Sequence, residues 1–263
     1  MKKGFTLIEL LVAIAILVVV LAIAGVIFRV SIDSQQMAAA NADIMQKLRT
    51  ITDQLNADFK GLIIPPQGKV SFSEVSGVRA DCIVFFANGD FQSTNSYSRK
   101  DGKVATVVGN VSGVFYGQAT APDPYSPDPK VRKEKILTRR QTILTADPNL
   151  AALFDLNPPR EYCNTKFLSK VVAEQIIDPN NPDVQNLIKR PFLDPRSEPN
   201  MYMAKGVDNF TIEYAQWNGP SLEWGRARED FTTKAFKFTF TLYDSKGVIK
   251  NGRTFTHIVY LGD

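Results

Sequence analysis

The sequence predicts an α+β chain in which one long N-terminal helix packs on an antiparallel β-sheet domain. Three observations carry that expectation. An apolar run extends from Phe5 to Phe28, broken only by Thr6, Glu9 and Gly25. A helical stripe then continues beyond it, with Met37, Ala40, Ile44, Leu48, Ile51, Leu55, Phe59 and Leu62 recurring at steps of three and four. Past Pro66 the period changes to two, as in AFKFTFTLY (Ala235–Tyr243), where Phe236, Phe238, Phe240 and Leu242 share one face.

The helix comes first. At 1.5 Å per residue, the apolar run reaches about 36 Å, enough to cross a bilayer. The stripe behind it faces a polar side carrying Asp33, Gln35, Asp43, Lys47, Arg49, Asp53 and Lys60. Pro65-Pro66 stops the pattern, since proline cannot continue a helix. A single helix over Phe5–Leu62 would be roughly 87 Å long. Gly25 is the expected place for a bend.

Strands are expected at Val70–Val75, Cys82–Ala87, Lys103–Val108, Val111–Gly117, Val207–Trp217, Ala235–Tyr243 and Thr254–Leu261. One face of such strands is packed and the other meets water. Asp244-Ser245-Lys246-Gly247 and Asn251-Gly252 read as turns between the last two strands. The interior from Tyr125 to Asn200 is rich in proline and reads as an insertion between two strand groups, with short helices near Leu150–Leu156 and Phe167–Ile177. The basic run Val131–Arg140 reads as a solvated strand or loop edge.

The N-terminus admits three readings. A secretory signal has a shorter apolar core and a small-residue cleavage site; neither is present. A plain membrane anchor fits the length but leaves Glu9 and the Gly4-Phe5 junction without a role. The third reading rests on resemblance: MKKGFTLIELLVAIAIL is similar to the leader of type IV prepilins, in which a short basic peptide ends in glycine and a dedicated peptidase cuts after it. The resemblance implies cleavage between Gly4 and Phe5, N-methylation of Phe5, and an assembly role for Glu9. An ionisable group inside a membrane span is costly and needs a partner. In the pilin-like assemblies this chain resembles, that partner is the N-terminal amine of a neighbouring subunit. Lys2 and Lys3 place the leader on the cytoplasmic side by the positive-inside rule.

Further along, Leu55-x-x-Asp58-Phe59, Cys82–Phe86, Val207–Trp217 and Phe236–Leu261 resemble segments of the GspJ/PilW group of minor pseudopilins and minor pilins. The stretch Asp230–Lys234 departs from that group by lacking proline, and the proline-rich interior is long for it. The resemblance implies four parts. These are a leader at 1–4, a transmembrane or assembly helix at 5–28, an amphipathic continuation at 29–64, and a periplasmic pilin-like β domain at 65–263 with the proline-rich insertion at about 120–200. It implies a structural subunit of a type II secretion pseudopilus or a type IV pilus, near its tip, anchored in the inner membrane. The partners implied are other pilin-like subunits, the prepilin peptidase and an inner-membrane assembly platform. The rival reading is a membrane-tethered extracytoplasmic binding module that does not polymerise.

Composition narrows the rest. Lys and Arg number 31 against 27 Asp and Glu, and no basic stripe is interleaved with aromatics, so a nucleic-acid partner is not expected. The lone histidine, His257, lies in an alternating strand, and neither a zinc-hydrolase spacing nor a nucleophile elbow is present. An enzyme is therefore not expected, and neither is a cofactor. Cys82 and Cys163 are a candidate disulfide outside the cytoplasm, although Cys82 in CIVFF equally suits a small buried apolar residue. Asp178, Asn180 and Asp183 form a weak candidate calcium site, since Asn and Asp beside proline are also ordinary turn chemistry. Trp217 and Trp224 flank Asn218-Gly219-Pro220 and read as packed loop anchors in preference to exposed contacts for a partner subunit.

Overall fold

The computed structural model describes residues 7–63, 68–71, 74–75, 78–79, 81–122, 131–145, 147–150, 161–164, 202–218, 221–226 and 234–261. Helix α1 covers Leu7–Lys60 and runs through Gly25 without interruption. Around its second half stand two antiparallel β-sheets, giving the α+β organisation expected of a pilin-like fold.

The first sheet holds β1 (Gly68–Ser71), β4 (Cys82–Ser98), β5 (Val104–Pro122), β6 (Val131–Thr145), β7 (Tyr162–Asn164) and β8 (Tyr202–Lys205). Its order is β1-β4-β5-β6-β7, with β8 also on β6. Among the described residues, only the β6–β7 pairing is parallel. The second sheet, in order β10-β9-β11-β12, holds β9 (Val207–Asn218), β10 (Ser221–Gly225), β11 (Ala235–Leu242) and β12 (Arg253–Tyr260). β2 (Glu74–Val75) and β3 (Val78–Arg79) pair antiparallel as a two-stranded sheet of their own.

Alternation explains why these strands pack as they do. Phe236, Phe238, Phe240 and Leu242 point inward from β11, while Lys237 and Thr239 face out and Thr241 is covered. Ile83, Phe85 and Ala87 of β4 and Val114 and Tyr116 of β5 point toward the same core. Ile44, Ile51, Leu55 and Phe59 of α1 complete it. Phe59 sits where the two sheets meet: its ring is 4.3 Å from Phe85 and 5.7 and 5.6 Å from Phe236 and Phe238. Each such buried side chain contributes about 1.5–3 kcal/mol of transfer free energy, which holds the helix to the sheets.

Two expectations need correction. The run 131–140 is not a solvated edge, because β6 is paired on both sides and Leu137, Thr138 and Arg140 are buried. Residues 131–145 therefore belong to the sheet and not to a separate insertion. Charges at Lys133, Lys135, Arg139 and Arg140 masked the alternation. The expected strands at 103–108 and 111–117 are one strand, β5, and β4 runs well past Ala87. The expected short helices near 150–156 and 167–177 lie outside the described residues, Leu150 excepted; it is buried against Val107, Ile143 and Tyr162.

Candidate functional site

The first half of α1 is bare. From Leu7 to Ile32 its large apolar side chains are exposed, among them Leu7 at 78% and Phe28 at 69%. The most apolar eighteen-residue window of the helix is entirely unburied, and the helix is long and apolar enough to cross a membrane. Exposed apolar surface on this scale marks a surface that another phase or another protein covers. Glu9 lies in the first turn of the described helix, on an exposed position. Gly4 and Phe5 lie outside the described residues.

The second half of α1 is gripped. Ala40 is the first buried helix residue, and the stripe from Ile44 to Phe59 follows the predicted spacing. Polar contacts fix the rotation. Asp43 and Lys47, expected on the solvent side, face the domain instead. Ser245 N donates to Asp43 Oδ2 at 2.7 Å, and Lys47 Nζ donates to Tyr243 O at 2.9 Å and to Ser245 Oγ at 3.1 Å. Burial alone would raise the Asp43 pKa, but the Ser245 amide and Lys47 outweigh it and hold it below the ordinary carboxylate range. The same turn is folded by Asp244, which accepts from the amides of Lys246 (3.1 Å), Val248 (2.9 Å) and Ile249 (2.8 Å). Those amides, Ile249 first, keep the Asp244 pKa low.

Near the helix end, Asp58 is buried and faces Arg139 of β6. Arg139 Nε and Nη2 donate to Asp58 Oδ2 and Oδ1, both at 2.7 Å, a bidentate fork. The Tyr116 hydroxyl donates to Asp58 Oδ2, and Gln54 Nε2 donates to Asp58 Oδ1 at 3.0 Å. Burial opposes the charge on Arg139, yet the Asp58 hydrogen bonds and charge raise its pKa above the usual guanidinium value. Burial first, and then the Asp58 charge, push the Tyr116 phenol well above its usual pKa. The cluster was visible in the sequence only through the Leu55-x-x-Asp58-Phe59 resemblance; nothing there paired Asp58 with Arg139.

The remaining candidates fall elsewhere. Cys82 is buried beside Val84 and Phe115. Its backbone lies opposite Gly117, which pairs with Thr138, whereas Cys163 lies opposite Leu144 at the other end of β6. Three strand spacings and six residues of offset separate the two Cα atoms by roughly 25 Å, far beyond the reach of a disulfide. The structure therefore does not bring the candidate pair together. Asp178, Asn180 and Asp183 lie outside the described residues, and among the described residues no group of three or more metal-ligating side chains occurs. His257 points inward and its Nε2 stands 2.9 Å from Asn56 Oδ1 on α1, so it is part of the helix anchorage. Burial lowers its pKa, with a smaller opposing effect from Asp53. Lys237 Nζ lies 4.8 Å over the Trp224 ring, which makes Trp224 a covered strand residue; the side chain of Trp217 is outside those described.

Comparison with known proteins bears on the bare half of the helix. Neither a curated protein nor a solved structure matches the chain. Residues 1–25 match the prokaryotic N-terminal methylation motif. That motif heads an exposed apolar helix which continues into an α+β domain. Together these features support a type IV pilin-like family, a structural subunit processed by prepilin peptidase and assembled with other pilins, with a helix suited to anchor it in the inner membrane.

Proposed function

We propose that the chain is a minor pilin-like subunit, of pseudopilin or minor pilin type. Its precursor is held in the inner membrane by residues 5–28, with 1–4 as the cytoplasmic leader and 65–263 as the extracytoplasmic domain. Cleavage between Gly4 and Phe5 frees the amine of Phe5, which is then N-methylated. The helix enters a type II secretion pseudopilus or a type IV pilus, and the β domain takes a place near the tip among other minor subunits. The GspJ/PilW resemblance supports the minor-subunit assignment. The single observation that carries the reading is one uninterrupted helix with an unburied apolar half under a methylation motif and a gripped half inside the domain.

In that assembly Glu9 pairs with the N-terminal amine of the next subunit. A charge pair in a low-dielectric setting specifies register, because a misplaced subunit leaves an ion unmatched. The test is Glu9→Ala in the full-length chain expressed in its own cells. Expected is a chain that reaches the membrane at the wild-type level and is recovered from sheared fibres at about a tenth of it or less. Recovery in fibres at the wild-type level would sink the reading. A variant that keeps membrane anchorage and ligand capture while the wild type never enters a fibre would favour the tethered binding module.

A further inference from the structure

β12 is the least guarded sheet edge among the described residues. It pairs with β11 on one side, and no described strand lies on the other. An open edge offers unpaired N–H and C=O groups, and natural edges are ordinarily shortened, bulged, charged, given proline or covered. β12 is neither short, bulged nor given proline, and its one formal charge, Arg253, stands at its start. It is eight residues long, keeps register with β11 through all eight, and after Arg253 continues Thr-Phe-Thr-His-Ile-Val-Tyr with no proline, lysine or carboxylate. The distal half of β4 makes the contrast. Its pairing with β5 breaks register twice, and Glu161 occupies the amides of Thr94 (3.1 Å) and Asn95 (2.8 Å). The other end strands, β10, β1, β8 and β7, have five, four, four and three residues.

Beside the open edge lies a groove of about 490 Å³ between the end of α1 and the last half of β12. Phe59, Lys60 and Leu62 line one wall; Ile258, Val259 and Tyr260 line the other. Val259 points into the core, while Ile258 and Tyr260 belong to the outer face. Lining from both faces sets the groove along the strand's edge and not on one face. Tyr260 is 72% exposed there. The charge around the edge is positive at both ends, with exposed Lys60 and Lys234 near Leu261 and exposed Lys250 and Arg253 at the start of the strand.

We propose that β12 is a strand-acceptor edge, which takes up an extended segment of a neighbouring pilin-like subunit. The segment has apolar side chains at alternate positions, to fill the groove, and carboxylates toward its ends, to meet the lysines and Arg253. Main-chain hydrogen bonds supply affinity in such strand addition, and the alternate pockets supply selectivity. The inference rests on the reading that this chain assembles with other subunits. The groove is built on the same helix that enters the fibre.

Amide hydrogen exchange on the full-length chain tests it, comparing dilute detergent-solubilised monomer with fibres sheared from cells. Strand addition bonds alternate amides of an edge, so about every second amide of 253–260 is expected to slow about ten-fold or more in the fibre. Thr256→Lys with Tyr260→Lys places charges on two exposed outer positions; it is expected to leave the monomer's melting temperature unchanged and to reduce recovery in fibres about ten-fold. Unchanged exchange at 253–260 in fibres that contain the chain overturns the proposal while leaving the assembly reading intact. Equal protection in dilute monomer, meaning that the chain covers its own edge, overturns it too. So does protection that rises with monomer concentration, which assigns the edge to a second copy. Absence of the wild-type chain from fibres overturns the assembly reading and this inference together. Should the double variant unfold, the exchange comparison on the wild-type chain decides alone.

Discussion

Asp58 shows how one residue can commit a helix to one rotation. A buried carboxylate is tolerated only when its oxygens are occupied, and here Arg139, Tyr116 and Gln54 occupy them. Removing one partner strands the other, so Arg139→Ala or Asp58→Ala is expected to cost about 3–5 kcal/mol in denaturant unfolding of the full chain in detergent. The paired change Asp58→Leu with Arg139→Met, which leaves no orphan charge, is expected to recover most of that loss. Asp43, Asp244 and His257 make stability depend on pH in one direction. All three have folded-state pKa values below their ordinary ones, so the unfolded chain binds their protons more readily and stability falls as pH falls. Melting temperature is expected to drop first as pH passes below about 6.5, the His257 step, and again below about 4, the aspartate step. His257→Gln should remove only the first step. These residues were hard to read in the sequence for one reason. A charge inside an amphipathic pattern reads as solvent-facing, and the partners that hold Asp43 and Asp58 in place come from a turn and from strands remote in the chain.

Elements were easier to read where one periodicity governed. The helix stripe and β11 each follow a single period, and both fold as that period implies. β6 was obscured because the charged Lys135 and Arg139 alternate with Leu137 on one face, so its pattern is legible only once its neighbours are known. The β8–β9 junction is held by Gly206, whose φ of +76° suits glycine and whose Cβ would lie 2.7 Å from Tyr243 O. Its amide donates to Lys135 O at 2.7 Å, and its carbonyl accepts from Tyr243 N at 2.8 Å, so the junction ties both sheets to the turn that receives Lys47. Gly206→Ala is expected to destabilise the chain by about 1–3 kcal/mol, read as a lowered denaturant midpoint with an unchanged slope.

At the scale of the whole molecule, the fold class and the helix architecture were legible because length, hydropathy and period all point the same way. The docking of the two sheets was not, since both present similar aromatic rows and only the three-dimensional arrangement shows Phe59 between them. Between Ile32 and Ala40 the helix is neither apolar enough to sit in lipid nor held by the sheets; residues 33–39 are all exposed. Since α1 is unbroken through this neck, it acts as a drive shaft, and the azimuth of the β domain is geared to that of Glu9. One alanine inserted after Met37 turns the domain by about 100° and lifts it about 1.5 Å, whereas seven inserted residues return it to within about 20° of its original heading. Counting the chain in sheared fibres after each insertion should show near-complete loss for the single residue and substantial recovery for the seven. Equal losses, or none, would mean that the neck swivels and transmits no phase.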